Sequence, residues 1–544
     1  MKHTVLLIVT LLLTHSVMAQ ELFRRRQCGT AMLMQREAAA NSKGQRSISK
    51  DYSYVSHTGS VTIPVVLVNF SDVKFTINEP KKAFEQMFNG DVQENLGNAN
   101  QHAHGSVAKY FHDMSNGTFT PKFKVYGPVT VDHPETYYGG KNEKKNEDEN
   151  PRELVKDALS LIENSVAATD LASFSLDGKT IESVYIIFAG IDQNDGGPGT
   201  AVWANTGTTN GATLSGKKVR WYTMSGERSP FNLDSKGNPC KTTVANSTPA
   251  ITGLGVACHE FSHALGLPDT YPIADEASID NQGMEYWDLM DGGEYANNGF
   301  CPTAYTAFEK EQMEWPVDIK TLDSDESDTL RTSTEQGGTA YKIVNPQNDN
   351  EYFILEYIQK KGWNKSQKGN GLLVYHVNLP SQTITSGTHL NETPGYPGMA
   401  VVPADGICKA QPTVDDDKLK KEYLDNMKGD LFPGTGNLQG QNVTELSDTN
   451  KQPNFCWYNA AKNEKLNTNK AIKNIKYDKD KYDKDKYVLT FDYVNDVASG
   501  ILPVWGDKQA TDGRVYSING AYLGDDITKL PHGIYIVNGQ KIVK

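Results

Sequence analysis

One short stretch of the chain combines residue types that bind and use a metal ion. Residues 259–269 read His-Glu-Phe-Ser-His-Ala-Leu-Gly-Leu-Pro-Asp. Because residues four apart share one face of a helix, His259 and His263 can direct their imidazoles at one metal ion. Glu260 projects about 100° round the helix from His259, so its carboxylate can hold a water molecule. The pattern predicts two ligands and a general base on one helical turn.

The residues after this helix supply a turn and a third candidate ligand. Gly266 is the residue type that ends a helix in a left-handed conformation, and Pro268 keeps Leu267 extended. The chain can therefore double back beneath the metal and bring Asp269 to it. Catalytic zinc sites use three protein ligands and leave a fourth position for water. The stretch thus predicts one catalytic zinc ion with Asp269 as its third ligand, and Glu260 as the base that accepts a proton from water.

The helix itself should be amphipathic, with the two histidines opposite an apolar stripe that faces the core. One face would then pack inside the protein and the other would face a cleft. The alternative, two histidines that merely sit in a core, leaves Glu260 and Asp269 unexplained. The stripe consists of Leu254, Cys258, Phe261 and Leu265.

A second element follows about twenty residues downstream, in a stretch that reads Glu-Tyr-Trp-Asp-Leu-Met-Asp-Gly-Gly at residues 285–293. Several metallopeptidases place a methionine in a tight turn beneath the zinc, as an apolar floor for the ligand imidazoles. Met290 is the candidate for this Met-turn. The alternative is a core methionine that leads into an Asp-Gly-Gly turn. Tyr286 and Tyr295 are candidates for stabilising an oxyanion.

Four segments together resemble the immune-inhibitor-A-type family of secreted bacterial metallopeptidases. The resemblance extends approximately from residue 60 to residue 495, and its departures, Cys258 and Asp291, touch no ligand position. It implies an α/β (α+β) fold of the metzincin type, zinc held by two histidines and an aspartate, and peptide-bond hydrolysis. The segments are the zinc stretch, Trp287-Asp-Leu-Met290, Ser106-Val-Ala-Lys-Tyr110 with Met114-Ser-Asn-Gly117, and Val202-Trp-Ala-Asn205.

The N-terminal residues predict export. Residues 1–19 combine a lysine, an apolar run and a small-residue cleavage site, as in a signal peptide. Residues 20–58 are basic and then polar, which indicates a removable pro-segment. Within it, Cys28 is a candidate latency ligand, because a thiolate can cap zinc until it is cut away. A disulfide partner is the alternative role for Cys28.

Composition excludes several classes of function. The net charge is −13, which argues against nucleic-acid binding. No stretch reaches the ~18 consecutive apolar residues of a membrane-spanning helix. Six cysteines in an exported chain permit disulfides. Of these, Cys408 and Cys456 are the expected pair, and at least one of the other cysteines in the peptidase region should be a buried thiol.

Strand and helix patterns divide the mature chain into three parts. Residues 59–318 form the predicted zinc peptidase domain, with buried strands at 61–70 and 182–189 and helices at 81–88 and 106–114. Residues 319–497 alternate as strands and predict a β-rich, sandwich-like domain. In it, His376 and Glu356 suggest a second metal site, but polar residues on strands are more often structural.

Residues 498–544 predict a small C-terminal β module of three short strands. This segment resembles the C-terminal sorting modules that carry bacterial proteins through the outer membrane by the type IX route. A plain β appendage is the alternative. The resemblance implies type IX-like secretion machinery as a partner and a secreted or cell-surface location.

One loop is a candidate calcium site. Residues 192–197 read Asp-Gln-Asn-Asp-Gly-Gly, and the oxygens of Asp192, Asn194 and Asp195 suit a hard cation. A polar turn without an ion is the alternative. Members of the resembled family bind calcium, so Ca²⁺ is a candidate structural cofactor beside the catalytic zinc.

Taken together, the sequence predicts a secreted zinc endopeptidase that acts on proteins or peptides. Two other classes stay open. A surface-binding protein on the same fold should have lost a ligand or the base, and all four residues are intact. A zinc hydrolase of a non-peptide substrate would keep them.

Overall fold

The computed structural model describes residues 54–90, 104–142, 147–235, 239–273, 282–380, 384–409, 412, 417–434, 442–484, 486–496, 514–518, 520–537 and 540–544. In these residues the α-helices are α1 Pro80–Asn89, α2 Val107–Met114, α3 Glu135–Gly139, α4 Pro151–Ile162, α5 Ala168–Ser173, α6 Leu254–Leu265, α7 Ala307–Gln312 and α8 Asp417–Asn426. The strands of the first part are β1 Thr62–Asn69, β2 Lys122–Thr130, β3 Lys141–Asn142, β4 Glu147–Asp148, β5 Thr180–Phe188, β6 Asn205–Thr208, β7 Thr213–Leu214, β8 Lys217–Gly226, β9 Arg228–Leu233, β10 Pro239–Cys240 and β11 Thr248–Ile251.

A mixed sheet of order β2-β1-β5-β8-β6 forms the centre of the first part, with β7 also paired to β8. Strands β2, β1, β5 and β8 are parallel, whereas β6 and β7 run antiparallel to β8. Parallel strands are covered on both faces and therefore read as continuous apolar runs. This explains the buried run Ile-Pro-Val-Val-Leu-Val at residues 63–68, and it confirms the predicted strands at 61–70 and 182–189.

Alternate residues of the central strands pack into two separate apolar cores, because successive side chains of a strand point to opposite faces of the sheet. Val65 and Leu67 join the core that contains α6, and Val66 and Val68 join the core that contains α4. The predicted helices at 81–88 and 106–114 are confirmed as α1 and α2, and they pack on the α6 side.

Helix α6 carries the candidate ligands and ends where its sequence predicts. Gly266 has φ +117° and donates its backbone N–H to the carbonyls of Ser262 and His263, and Leu267 N–H also reaches Ser262 O at 3.1 Å. These bonds satisfy carbonyls that the helix end leaves without intrahelical donors. One prediction was wrong: every residue of α6 is buried, so no face is open to a cleft. The central sheet covers one side of α6, and the segment after the candidate Met-turn packs against another side of the helix.

Two sheets of the later part form a sandwich. The five-stranded sheet has order β12-β14-β15-β16-β17 and the four-stranded sheet has order β13-β22-β21-β18. The apolar cluster between them contains Phe353 and Val374 from one sheet and Leu489 and Phe491 from the other. The strands are β12 Ile319–Thr321, β13 Glu326–Leu330, β14 Ala340–Asn345, β15 Asn348–Ile358, β16 Gly371–Asn378, β17 Met399–Val401, β18 Leu446–Ser447, β19 Trp457–Asn459, β20 Glu464–Leu466, β21 Ala471–Lys479 and β22 Tyr487–Val494.

The outer face of the five-stranded sheet is also buried, because it packs into the core that contains α6. Ile354, Leu373 and Tyr375 belong to the same apolar cluster as Phe261 of α6. A single hydrophobic core therefore crosses residue 318, the predicted boundary between the first two domains. Consistent with this, the chain up to Asn495 forms one compact unit.

The second compact unit comprises Asp496–Lys544. Its described residues form a sheet of order β24-β23-β25-β26, with β23 Val515–Ser517, β24 Tyr522–Gly524, β25 Ile534–Val537 and β26 Gln540–Val543. The prediction of three strands was wrong, because the described residues from 534 onward form two strands, β25 and β26, that pair antiparallel. The sequence Asn-Gly at 538–539 is the pair typical of two-residue hairpin turns, and it was the overlooked signal.

The cysteines also correct the sequence analysis. Cys408 and Cys456 are separate thiols, so the predicted pairing is wrong for this structure. Membership of the same domain does not bring two Cβ atoms to the ~4 Å that a disulfide needs. Cys258 and Cys301 are buried thiols, as expected for at least one cysteine of the peptidase region. Among the described residues, the helices are too short or too polar to cross a bilayer.

Residues 54–57 are packed into the fold although they fall within the predicted pro-segment. Val55 is 1% exposed, and its backbone N–H donates to the carbonyl of Ala264 in the last turn of α6 at 2.9 Å. The carbonyl of His57 accepts from the indole of Trp315 at 2.8 Å. This segment therefore supplies a backbone partner for the end of the candidate metal helix.

We expect a protein that lacks residues 1–58 to be less stable than one that lacks residues 1–53. Compared with the shorter deletion, the longer one exposes the site of Val55 and removes several hydrogen bonds, among them those of Val55 and His57, at a cost of at least about 2–4 kcal/mol. Thermal unfolding of both truncated proteins and the full chain measures this. Equal midpoints for the two deletions would contradict the anchoring role of residues 54–57.

Candidate metal centre

Three side chains converge as the sequence predicts. Oδ1 of Asp269 lies 3.2 Å from Nε2 of His259 and 3.2 Å from Nε2 of His263. The three candidate ligand atoms lie within 4.8 Å of one another, and all three residues are buried. Within the described part of the chain, no other three His, Cys, Asp or Glu side chains meet this spacing. The turn after α6 therefore brings the three predicted ligands together.

Backbone carbonyls fix the orientation of both imidazoles. Nδ1 of His259 lies 3.0 Å from the carbonyl oxygen of Leu289, and Nδ1 of His263 lies 2.7 Å from the carbonyl oxygen of Leu267. A carbonyl only accepts, so both Nδ1 atoms must carry the proton. Each neutral ring therefore has its lone pair on Nε2, which points toward Asp269. This is the arrangement by which outer hydrogen bonds prepare histidines for a metal.

The carboxylate of Asp269 is in the form that binds metal. Burial alone would raise its pKa, but the positive charge that His263 and His259 carry when protonated holds that pKa well below its usual range. Two neutral imidazoles and one carboxylate form a donor set that suits Zn²⁺. The residues present therefore fit the metal that the sequence predicts.

The candidate Met-turn is hydrogen-bonded to both segments that carry candidate ligands. Besides Leu289, which holds His259, the carbonyl of Met290 accepts from the N–H of Thr270 at 2.9 Å, directly after the third ligand. Met290 is fully buried in the core that contains α6. The carboxylate of Asp288 closes the turn by accepting from Met290 N–H at 2.6 Å. The backbone of the turn thus fixes the distance between α6 and the third candidate ligand.

Glu260 lies buried in α6, one residue after the first ligand. The hydroxyl of Thr206, on β6, lies 2.6 Å from the Glu260 carbonyl oxygen and 3.3 Å from its carboxylate oxygen Oε2. Thr206 has no recognisable signal in the sequence, because 54 residues separate it from the candidate base.

Glu294 is a second carboxylate beside the site that the sequence analysis missed. Its Oε2 lies 3.9 Å from Nδ1 of His259, and burial raises its pKa to about 7. The backbone of the same residue packs against α6: a Cβ at Gly255 would lie 1.9 Å from the Glu294 carbonyl oxygen. Only glycine permits this approach. Gly255, in the first turn of α6, was the sequence signal for this close approach.

The two tyrosines suggested for the oxyanion have different surroundings. The Tyr295 hydroxyl interacts with the carboxylate of Glu294, beside the candidate ligands. The Tyr286 ring lies 5.0 Å from Nζ of Lys368. Which of them faces an oxyanion stays a prediction.

The candidate calcium loop is closed by backbone hydrogen bonds. The carboxylate of Asp192 accepts from Asp195 N–H at 2.8 Å and from Gly226 N–H at 3.1 Å, and Oδ1 of Asn194 accepts from Ala204 N–H at 2.9 Å. No third acidic side chain of the described residues joins Asp192 and Asp195 at ligand spacing. Calcium binding by Asp192, Asn194 and Asp195 stays a prediction.

Other candidates have structural partners or fall outside the described residues. His376 pairs with Glu351 at 3.1 Å, whereas Glu356 accepts from Ala307 N–H and the Tyr375 hydroxyl. Among the described residues, His376 and Glu356 belong to no metal-ligand group. Cys28 lies outside the described residues, so its latency role stays a prediction.

The later part of the chain also supports the site. The side chain of Asn391, fully buried, donates to the carbonyl of Thr270 at 2.6 Å and exchanges hydrogen bonds with the backbone of Met399. The indole of Trp287 donates to Asp430 at 2.8 Å. Both contacts reach across residue 318 to the third-ligand segment and the Met-turn.

The known proteins that this chain resembles are peptidases. A family model described as the catalytic domain of the immune inhibitor A peptidases, M6, matches residues 49–318. Immune inhibitor A of Bacillus thuringiensis subsp. alesti is 25% identical over 306 residues, which cover 50% of this chain and 42% of the relative. Pre-pro-metalloprotease PrtV of Vibrio cholerae serotype O1 (strain M66-2) is 23% identical over 230 residues, covering 38% of this chain and 23% of the relative. The matched regions span less than half of either relative.

We expect Asn391→Ala to lower zinc affinity about tenfold, since outer hydrogen bonds to metal-ligand segments typically contribute this much or more. Competition with a chromogenic chelator measures the affinity. Asn345→Ala is the matched control, because the side chain of this buried asparagine of β14 donates to Glu351 of β15 instead of to the Thr270 segment. Equal zinc affinities for the two variants would contradict the supporting role of Asn391.

Proposed function

The chain belongs to the immune inhibitor A family of peptidases, family M6, and we propose that it is a zinc-dependent endopeptidase that hydrolyses peptide bonds of extracellular proteins. The observation that carries the proposal is the convergence of Asp269 on the Nε2 atoms of His259 and His263. Both rings donate through Nδ1 to backbone carbonyls, which leaves the Nε2 lone pairs for a metal.

In the proposed mechanism His259, His263 and Asp269 would hold one zinc ion. Zinc, when bound, makes water more acidic and polarises the scissile carbonyl. Glu260 accepts the proton of the attacking water and delivers it to the leaving amine. Burial of the base strengthens its electrostatic interactions, because water competes less for the carboxylate.

Export and maturation are part of the proposal. The signal-peptide pattern at 1–19 supports secretion, and one relative is named a pre-pro-metalloprotease. Residues 54–57 are packed against α6, so a maturation cut would have to precede Tyr54. The C-terminal β unit is proposed as a sorting module for type IX-like machinery, and Ca²⁺ as a structural ion at 192–195.

One experiment separates this proposal from the two alternatives. Purified protein is incubated with casein, with and without a zinc chelator, and then with zinc restored. Hydrolysis that the chelator abolishes and zinc restores supports the peptidase. An inactive binding protein gives no hydrolysis in either state. Zinc-dependent hydrolysis of small esters without cleavage of casein or gelatin would favour a non-peptide hydrolase.

The role of Glu260 predicts that Glu260→Gln keeps about one zinc per chain but lowers casein hydrolysis by at least ~10²-fold, because the amide cannot accept a proton. Metal analysis and initial rates on the same preparation test this. Substantial residual hydrolysis would remove Glu260 from the role of base.

The role of Asp269 predicts a different outcome. Asp269→Ala removes both a metal ligand and a negative charge, so zinc affinity and activity should fall together. Equilibrium dialysis against buffered zinc measures the affinity. If Asp269→Ala bound zinc normally, another carboxylate, such as Asp275 or Glu276 outside the described residues, would be the ligand.

A further inference from the structure

A buried threonine of the central sheet contacts the candidate general base. Thr206 lies on β6, the strand next to β8 at one edge of the sheet, and its side chain is fully buried. Its hydroxyl oxygen lies 2.6 Å from the backbone carbonyl oxygen of Glu260 and 3.3 Å from carboxylate oxygen Oε2. One side chain therefore reaches both the helix backbone and the carboxylate of the same residue.

We propose that Thr206 is a positioning residue that holds the Glu260 carboxylate in the orientation needed for proton transfer, an inference that rests on the proposed peptidase function. A hydroxyl has one proton and two lone pairs, so it donates to one acceptor at a time. The carbonyl and Oε2 of Glu260 share this donor. With Oε2 on the Thr206 side, Oε1 is the oxygen that receives the proton from water.

The neighbouring strand restricts the direction of the Thr206 hydroxyl. Thr206 pairs with Thr223 of β8 across the sheet, and their hydroxyl oxygens are 3.4 Å apart. The Thr223 hydroxyl is an acceptor for Thr206, but it lies farther away than the Glu260 carbonyl at 2.6 Å, so the Thr206 proton is directed mainly at Glu260. A threonine is also stiff at χ1, because two heavy atoms branch from Cβ. The sheet thus presents a donor of fixed position to the base.

The competing explanation is purely structural: the bond to the Glu260 carbonyl would tie α6 to the sheet and affect only stability. The two roles differ in what a variant changes. A structural tie alters unfolding, and any loss of activity would follow the folded fraction. A positioning role alters kcat of the folded enzyme while KM stays constant, because substrate binding does not use the base.

The experiment compares Thr206→Val, Thr206→Ala and Thr206→Ser with the unaltered enzyme. Valine and alanine both remove the hydroxyl, and two variants are used so that misfolding of one does not decide the result. Serine restores the donor. Thr209→Val is the matched control, because Thr209 is a buried threonine just after β6 whose hydroxyl donates to the carbonyl of Val219. Zinc content, unfolding midpoint, kcat and KM are measured for each protein.

We expect Thr206→Val and Thr206→Ala to keep about one zinc per chain and an unchanged KM while kcat falls about tenfold, the scale of a hydrogen bond to a charged group. Thr206→Ser should recover most of kcat, and Thr209→Val should leave kcat unchanged. An unchanged kcat in both hydroxyl-free variants, or an equal fall in Thr209→Val, would overturn the proposal. Loss of zinc in the Thr206 variants would also overturn it, because the residue would then act through the metal site.

These outcomes are separable from failure of the proposed function. If the unaltered zinc-loaded protein fails to cleave casein and gelatin, the peptidase proposal falls and the role of Thr206 falls with it. If the unaltered protein cleaves casein and Glu260→Gln does not, but the Thr206 variants are fully active, only the positioning role is wrong.

Discussion

The hydrogen bond from Nδ1 of His259 to the Leu289 carbonyl is the constraint on which the site depends. It selects the imidazole tautomer, and it requires the Met-turn to lie against α6. That approach is possible because Gly255 has no side chain where the helix meets the backbone of Glu294. The next carbonyl of the turn, that of Met290, then holds the segment that follows the third ligand. Two successive backbone carbonyls thus define both sides of the candidate metal centre.

This arrangement concentrates buried carboxyl groups around the turn. Burial raises the pKa of Asp288, Asp291 and Glu294 to about 7 in each case. Each of these side chains nevertheless has a backbone or hydroxyl donor, which limits the cost of removing it from water. A bound divalent cation would favour their ionised forms, since a metal ion is the largest local charge in such a site. Metal occupancy and protonation of the turn are therefore linked.

Sequence reasoning predicted the parts of the site that lie within one helix and its following turn. The spacing of His259, His263 and Asp269 sufficed, because helix periodicity and the Gly266 turn are local. Thr206 and Asn391 could not be predicted in the same way, since each reaches the site from a separate strand or loop. Their positions depend on strand order and on packing between distant segments, for which a single sequence has no periodic signal.

The fold shows the same division between local and long-range features. Strands and helices with strong apolar periodicity were predicted to within a few residues, including β1, α1 and α2. The complete burial of α6 was not, because the apolar stripe of a helix indicates one covered face and says nothing of the partners on its others. Whether Cys408 and Cys456 form a disulfide likewise depends on the distance between them in the folded chain, which their positions in the sequence do not determine.

The shared core also bears on how such a chain can evolve. The family match ends at residue 318, yet Trp363 packs on Tyr110 with ring centroids 4.9 Å apart and donates to Asp113 of α2. A recombination event that transferred only the matched segment would expose apolar surface of the core that contains α6. The smallest heritable unit is therefore larger than the segment that carries the motif. We therefore expect the later sandwich to be retained together with the part that holds the candidate metal centre, and substitutions at their junction to occur in compensating pairs.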